Sequence, residues 1–175
     1  MKRFVIAVYV ENKYGVLARV SGLFMRRGFN IDSLTVSETD DSNYSRITIT
    51  LSGDKYDREQ LINQLKKLHN VKRVKQLEVG MAVERELMLI KVINTPENRS
   101  EIMAATEIYR AKIIDYTTNA MCIEVTGEPS KIDAFVELMN DYGIIEMCRT
   151  GVVALQRGSD CLREMDMTYL REYKK

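Results

Sequence analysis

The order of apolar and polar positions divides the chain into two runs with the same succession of elements. Phe4-Val-Ile-Ala-Val-Tyr-Val10 is continuously apolar, with the length and branched residues of a strand buried on both faces. Glu11-Asn-Lys-Tyr-Gly15 breaks it. Val16, Leu17, Val20, Leu23 and Phe24 then recur on one helical face, which predicts a helix against a core. Gly28 ends that helix, after Arg26 and Arg27 have placed cations at the negative end of its dipole. Residues 30–39 read as a strand and Asp40-Asp41-Ser42-Asn43 as a hairpin turn. Ile47, Ile49 and Leu51 alternate with Arg46, Thr48, Thr50 and Ser52, the pattern of a half-buried strand. A helix carrying Leu61, Ile62, Leu65 and Leu68 and a strand over 71–79 complete the order βαββαβ.

After a short joint at 80–85 the order repeats. The pattern predicts strands over 87–93, 112–117 and 121–126, the last two joined by Thr118-Asn119, and a helix over 98–109. Pro129-Ser130 opens another helix, with Ile132, Phe135, Val136 and Met139 inward. Gly143 ends it, and a last strand covers 145–155 with a bend at Gly151. Identity between the halves is thin, yet Arg27 stands four residues before Ile31-Asp32 and Arg110 four before Ile114-Asp115. This suggests an old duplication. The expected fold is α+β, two tandem ferredoxin-like βαββαβ domains over 1–79 and 80–158. The tail 159–175 is charged, with Leu162, Met165 and Leu170 loosely spaced, and reads as a frayed helix or disordered chain. Halves of ~80 residues are only marginally stable alone, so docking between halves or between chains is expected.

Charge and composition narrow the function. The 175 residues carry 26 Lys plus Arg against 25 Asp plus Glu, without the cationic surplus that grips a phosphate backbone. No helix-turn-helix is apparent. Lys66, Lys67, Lys72, Arg73 and Lys75 read as solvated charges. Three cysteines without CxxC spacing argue against a disulfide framework or a zinc site. Cys122 and Cys148 read as small buried hydrophobes, suited to a reducing compartment. With no signal peptide and no apolar run long enough for a bilayer, the expectation is cytoplasmic, with no membrane and no nucleic-acid partner. His69 is the one histidine and needs no catalytic role. Neither a Ser/His/Asp nor a Cys/His set assembles around it, no GxGxxG or Walker sequence occurs, and carboxylate spacing selects no acid/base pair.

The segment with chemical content is Glu11-Asn-Lys-Tyr-Gly-Val-Leu17. A helix N-terminus offers unsatisfied N–H groups and a positive dipole end, which suit a carboxylate. Gly15 lets a ligand approach the backbone. Asn12 and Asn30 supply amide oxygens for an ammonium and amide N–H groups for a carboxylate, with Asn30 placed to converge on the loop across a sheet edge. The same residues also serve as ordinary cap and turn residues. The matching loop of the second half, Asn94-Thr-Pro-Glu-Asn-Arg99, has no glycine, and Pro96 removes a donor. The first half is therefore the expected binder.

Glu11-Asn12-x-x-Gly15-Val-Leu-x-Arg-Val-x-Gly-Leu-Phe24 followed by Arg27-Gly-Phe-Asn-Ile-Asp-Ser-Leu-Thr-Val36 resembles the amino-terminal ACT domain of acetohydroxyacid synthase (acetolactate synthase) regulatory small subunits. Val83-Glu-Arg-Glu-Leu-Met-Leu-Ile-Lys-Val92, Pro96-Glu-Asn-Arg-Ser-Glu-Ile102 and Arg149-Thr-Gly-Val-Val-Ala-Leu155 resemble that family's carboxy-terminal, ACT-like half. The resemblance covers about residues 2–158. It implies a non-catalytic subunit that activates a large catalytic subunit, confers feedback inhibition by valine or another branched-chain amino acid, and forms a homodimer. It implies no cofactor on this chain, with thiamine diphosphate, Mg and FAD on the catalytic partner. It places the effector between two paired amino-terminal domains, on Asn12, Gly15, Val16 and Leu17 of one chain and Asn30 and Ile31 of the other. Tyr14 fills a variable position and is bulky enough to alter effector preference. A stand-alone amino-acid-sensing pair that controls another enzyme or transcription is the alternative; a small enzyme on this fold is disfavoured for want of a catalytic set.

Overall fold

The computed structural model describes residues 2–78 and 80–162. The first run folds as β1 (Lys2–Glu11), α1 (Val16–Arg26), β2 (Ile31–Glu38), β3 (Tyr44–Gly53), α2 (Lys55–Leu65) and β4 (Val71–Leu77). Its antiparallel sheet has the strand order β2-β3-β1-β4. The second run gives β5 (Ala82–Ile93), α3 (Arg99–Ile108), β6 (Lys112–Tyr116), β7 (Ala120–Gly127), α4 (Pro129–Asn140) and β8 (Ile144–Arg149). These strands are ordered β6-β7-β5-β8, and a short β9 (Val153–Gln156) also pairs with β5. The fold is α+β, with two tandem ferredoxin-like βαββαβ arrangements.

In the first compact unit the helices cover one sheet face. Val16, Val20, Leu23 and Phe24 of α1 and Leu61 and Leu65 of α2 close over Phe4, Ile6, Val8, Ile47, Ile49 and Leu51. Phe24 is only 1% exposed, and truncating such a residue costs ~3–5 kcal/mol. Asp54 caps α2, accepting from the Asp57 N–H at 2.8 Å. The continuous apolar run of β1 is buried on both faces, as its composition predicts. Leu17, expected on the core face of α1, is 43% exposed. It follows Val16 by 100° around the helix and turns past the edge of the contact. In the second unit Met88, Ile90 and Val92 of β5 pack with Met121, Ile123, Ile132, Phe135 and Met139.

Several boundaries differ from the sequence pattern. Among the described residues, the first compact unit takes in those up to Val83 and residues 154–162, while the second is Glu84–Val153. Residues 154–158, grouped by sequence with the second half, thus pack with the first. The single bent strand expected over 145–155 is two strands, β8 and β9. They are parted at Gly151, whose φ of 76° breaks an extended backbone. Thr48 and Thr50 are 3% and 0% exposed, so β3 is buried on both faces rather than half-buried. Alternation tells which side of a sheet a residue faces, not what lies on that side. Cys148 is exposed and Cys122 intermediate, against the expectation of two buried thiols. The core of their sheet lies on the helix side, and both register with β5 residues of the opposite face, Leu89 and Lys91. The tail expected over 159–175 extends beyond the described residues: 159–162 are irregular and 163–175 lie outside them.

The halves also align differently from the arginine spacing. Gly28 has φ 69°, with the Gly28 N–H donating to the Met25 carbonyl and the Phe29 N–H to that of Phe24. Arg110 has φ 50°, with the Arg110 N–H donating to Glu107 and the Ala111 N–H to Thr106. Each pair of bonds is the helix-ending pattern that demands a left-handed residue. Arg110 therefore corresponds to Gly28, not Arg27, and Ile113 to Ile31. The strand registers agree, since β2 is irregular between Ile31 and Ser33 and β6 between Ile113 and Asp115.

Candidate functional site

The β1–α1 loop begins where β1 leaves its sheet. The Asn12 N–H donates to the Asn43 carbonyl at 2.7 Å, tying the loop to the β2–β3 hairpin. Both donors of the Asn12 amide face the same way: Nδ2 lies 3.0 Å from Glu38 Oε1 and 3.0 Å from the Ser42 carbonyl oxygen. The expectation that Asn12 would donate to a ligand carboxylate is thus met by hairpin atoms instead, and the amide oxygen is what it presents. Gly15, at φ 77°, is the N-cap of α1 and supplies no side-chain cap. A Cβ there would meet nothing within 4 Å. The Val16 N–H reaches Lys13 at 3.3 Å and Arg19 reaches Gly15. The N–H groups of Leu17 and Ala18 make no such bond among the described residues. The site therefore combines uncapped donors, a positive dipole end and one amide oxygen beside open space, the functions needed for an α-carboxylate and an α-ammonium.

A polar cluster anchors the loop from below. Glu11 pairs with Lys72 at 2.6 Å and Lys13 at 3.0 Å. Asn70 donates from Nδ2 to Glu11 Oε2 at 2.8 Å and accepts from Arg19 Nη1 at 2.7 Å. The Lys72 ammonium, with help from Lys13 and Asn70, holds the Glu11 carboxyl down to about 2. Sequence reasoning missed Glu38, Asn70 and Arg19. Asn70 stands 59 positions from Glu11, and nothing local distinguishes it from a surface amide.

The corresponding loop of the second unit is filled by its own side chains. Asn94 occupies the place of Asn12, its N–H donating to the Asn119 carbonyl at 2.9 Å and its Nδ2 to that of Thr117 at 2.6 Å. Here, however, the amide oxygen accepts from Arg99 Nε at 3.2 Å. Asn98 Oδ1 accepts the Thr95 N–H at 2.8 Å, and Thr95 Oγ1 lies 3.4 Å from the Asn98 N–H. The amide oxygen that the first loop leaves open is occupied in the second, although the N-cap of α3, like that of α1, makes no side-chain cap bond.

Of the other expected site residues, Val16 is buried and Leu17 exposed beside the loop. Asn30 is exposed, and Ile31 packs partly against the core. Within one chain Asn30 does not converge on Asn12. Ile31 pairs with Leu51 and Glu11 with Tyr44. Those partners are at opposite ends of β3, ~23 Å apart at the rise of a strand. Elsewhere, His69 is exposed in the turn before β4. No cluster of His, Cys, Asp or Glu able to hold a metal occurs among the described residues. In the basic cluster, Lys72 is paired with Glu11 and Lys75 with Asp160. No helix among the described residues is long and apolar enough to cross a membrane.

Two tandem ferredoxin-like units, the first with the Asn12 amide oxygen open and the second with that of Asn94 occupied by Arg99, have the architecture of the ACT class of regulatory domains. Residues 6–73 match the family model described as the AHAS small subunit-like ACT domain, and residues 85–158 that of the small subunit of acetolactate synthase. The chain belongs to the acetolactate synthase small-subunit family. It is 53% identical over 154 residues to the probable acetolactate synthase small subunit of Archaeoglobus fulgidus, covering 88% of this chain and 96% of that one. It is 44% identical to the acetolactate synthase isozyme 3 small subunit of Escherichia coli, covering 92% and 99%. The crystal structure of the Thermotoga maritima acetolactate synthase small subunit superposes with a TM-score of 0.83 at 40% identity, covering 91% and 100%. These relatives carry the name of the small subunit, in keeping with a chain that is not the catalytic one.

Proposed function

We propose that the chain is the regulatory subunit of an acetolactate synthase, binding valine or another branched-chain amino acid at the β1–α1 loop and activating a large catalytic subunit. In this reading thiamine diphosphate, Mg and FAD belong to the large subunit, this chain carries no cofactor, and the pair works in the cytoplasm. The observation that carries the proposal is the contrast between the loops: Asn12 keeps its oxygen open while Arg99 occupies that of Asn94. The edge position of β2 supports a site shared by two copies. Glu38, the last residue of β2, holds Asn12, whereas Asn30 precedes its first residue. Antiparallel pairing of two β2 edges about a two-fold axis brings each chain's Asn30 and Ile31 beside the other's Asn12.

The energies suit a sensor. Burying an isopropyl group contributes ~1.5–3 kcal/mol, and each hydrogen bond to a charged group ~1.5–3 kcal/mol. After ordering costs, a Kd between ~1 μM and ~1 mM follows. Transmission to a catalytic partner requires a coupling of only ~1–3 kcal/mol. The test is reconstitution with the large subunit encoded in the same cell. The expected results are no acetolactate formation by this chain alone, higher activity of the large subunit in its presence, and inhibition on adding valine, leucine or isoleucine. Failure to bind or activate that subunit would instead favour a stand-alone amino-acid-sensing module.

A further inference from the structure

On the helix-free face of the first sheet, a cleft of about 360 Å³ opens beneath the segment that follows β9. Its floor includes Tyr9, Arg46, Lys75 and Leu77, and its wall Leu155 and Gln156. The registers place the floor residues on one face: Tyr9 opposes Arg46, Ala7 opposes Lys75 and Val5 opposes Leu77. β9 and the segment after it are fastened there by Arg46 Nη2 donating to the Ala154 carbonyl at 2.6 Å, by the Arg157 N–H on the Met81 carbonyl, and by Lys75 with Asp160 at 3.2 Å.

Two groups in this cleft lack a counterpart. Lys75 has its carboxylate, but Arg46 donates to a single neutral carbonyl and has no ion-pair partner among the described residues. Burial pushes its pKa down, although Asp40 and Asp160 also line the cleft. Gln156 Oε1 is buried and accepts no hydrogen bond. A partly desolvated cation without a paired anion and a buried acceptor without a donor are each costly. A guanidinium binds a carboxylate through two parallel N–H groups. One molecule bearing a carboxylate with an N–H or O–H on the adjacent carbon answers both needs.

We propose that this cleft is a second small-molecule site, which takes a 2-amino or 2-hydroxy carboxylate with an apolar side chain. Arg46 receives the carboxylate, Gln156 Oε1 the neighbouring donor, and Tyr9, Leu77 and Leu155 the side chain. It shares no residue with the β1–α1 loop, so its occupancy is independent of the effector reading.

The test is an amide chemical-shift titration of the full-length chain with L-leucine, L-2-hydroxy-4-methylpentanoate and 4-methylpentanoate, which lacks the donor. Saturable shifts at Arg46, Leu77, Ala154 and Gln156 are expected with leucine or its hydroxy analogue, and the stronger of the two identifies the ligand class. The donor-free acid should bind at least ~10-fold more weakly. Arg46→Lys should weaken binding ~10-fold by losing the planar fork. Gln156→Leu, which leaves the Arg46 fastening in place, should reduce the preference for the donor-bearing acid to near unity. Asn12→Ala should leave these shifts intact. No saturable shift at these amides up to tens of millimolar, equal affinity for all three acids, or an unchanged preference in Gln156→Leu would overturn the proposal. Loss of these shifts in Asn12→Ala would also do so, by showing that they report the loop site.

Discussion

Replacing Asn12 by alanine removes two functions of one amide, and the structure allows their magnitudes to be separated. The Nδ2 group contributes two bonds at 3.0 Å to the hairpin, to Glu38 and to the Ser42 carbonyl. Both are exposed, and their loss costs ~1–2 kcal/mol of local stability at most. The backbone bond from Asn12 to Asn43 and the complete β1–β3 register remain, so the loop should stay folded. The amide oxygen, in our reading, meets the effector's ammonium, a charge-assisted bond of ~1.5–3 kcal/mol. Valine affinity should therefore fall ~10- to 150-fold, each ~1.4 kcal/mol being tenfold. Glu38→Ala is the control, because it loosens the same amide without removing its oxygen and should weaken valine less than ~10-fold. Gly15→Asp should be the most severe, placing a negative charge where the carboxylate approaches and a side chain at φ 77°. Valine calorimetry on the full-length protein, together with urea melts, reads binding and folding separately. Wild-type affinity in Asn12→Ala, or equal damage from Glu38→Ala, would show that Asn12 is only a hairpin tie.

Three further outcomes follow from particular contacts. Glu11 has its carboxyl held from 4.5 down to about 2 in the folded chain; a lowered folded value gives stability that is present above the unfolded pKa and lost as pH falls through the folded one. Acid unfolding of the wild type should therefore steepen between about 4.5 and about 2, and Glu11→Gln should flatten that limb in a circular dichroism titration. Arg149 forks Glu86 at 2.9 and 2.7 Å and reaches Asp133 at 2.8 Å, and the Glu86 side chain is only 4% exposed. Arg149→Met should thus cost ~3–5 kcal/mol in urea melts by stranding a buried carboxylate, and adding Glu86→Leu should recover most of it. Val36 lies on the β2 edge at 41% exposure, so Val36→Lys should shift a full-length dimer toward monomer in sedimentation velocity; an unchanged dimer would place the interface elsewhere.

Most elements and their βαββαβ order are legible in the local pattern, the split of β8 from β9 being the exception. Apolar periodicity separates the α1 and α4 faces from the unbroken β1 run because burial is repetitive along a helix or strand. Gly15 and Gly28 are readable as special backbone positions because few other residues tolerate positive φ. What depends on neighbours across a sheet is visible only in the folded chain. The fold turned the Asn12 donors toward Glu38 and Ser42, closed Asn94 with Arg99, and paired Glu11 with Asn70 and Lys72. It separated Asn30 from Asn12 by the length of β3, so that their meeting requires a second copy. It also buried Thr48 and Thr50 and laid residues 154–162 on the first unit. A residue's type and spacing state which groups it offers. Whether those groups are already satisfied depends on neighbours 26 to 108 positions away, as in Asn12–Glu38 and Arg46–Ala154, and only the folded chain brings such neighbours together.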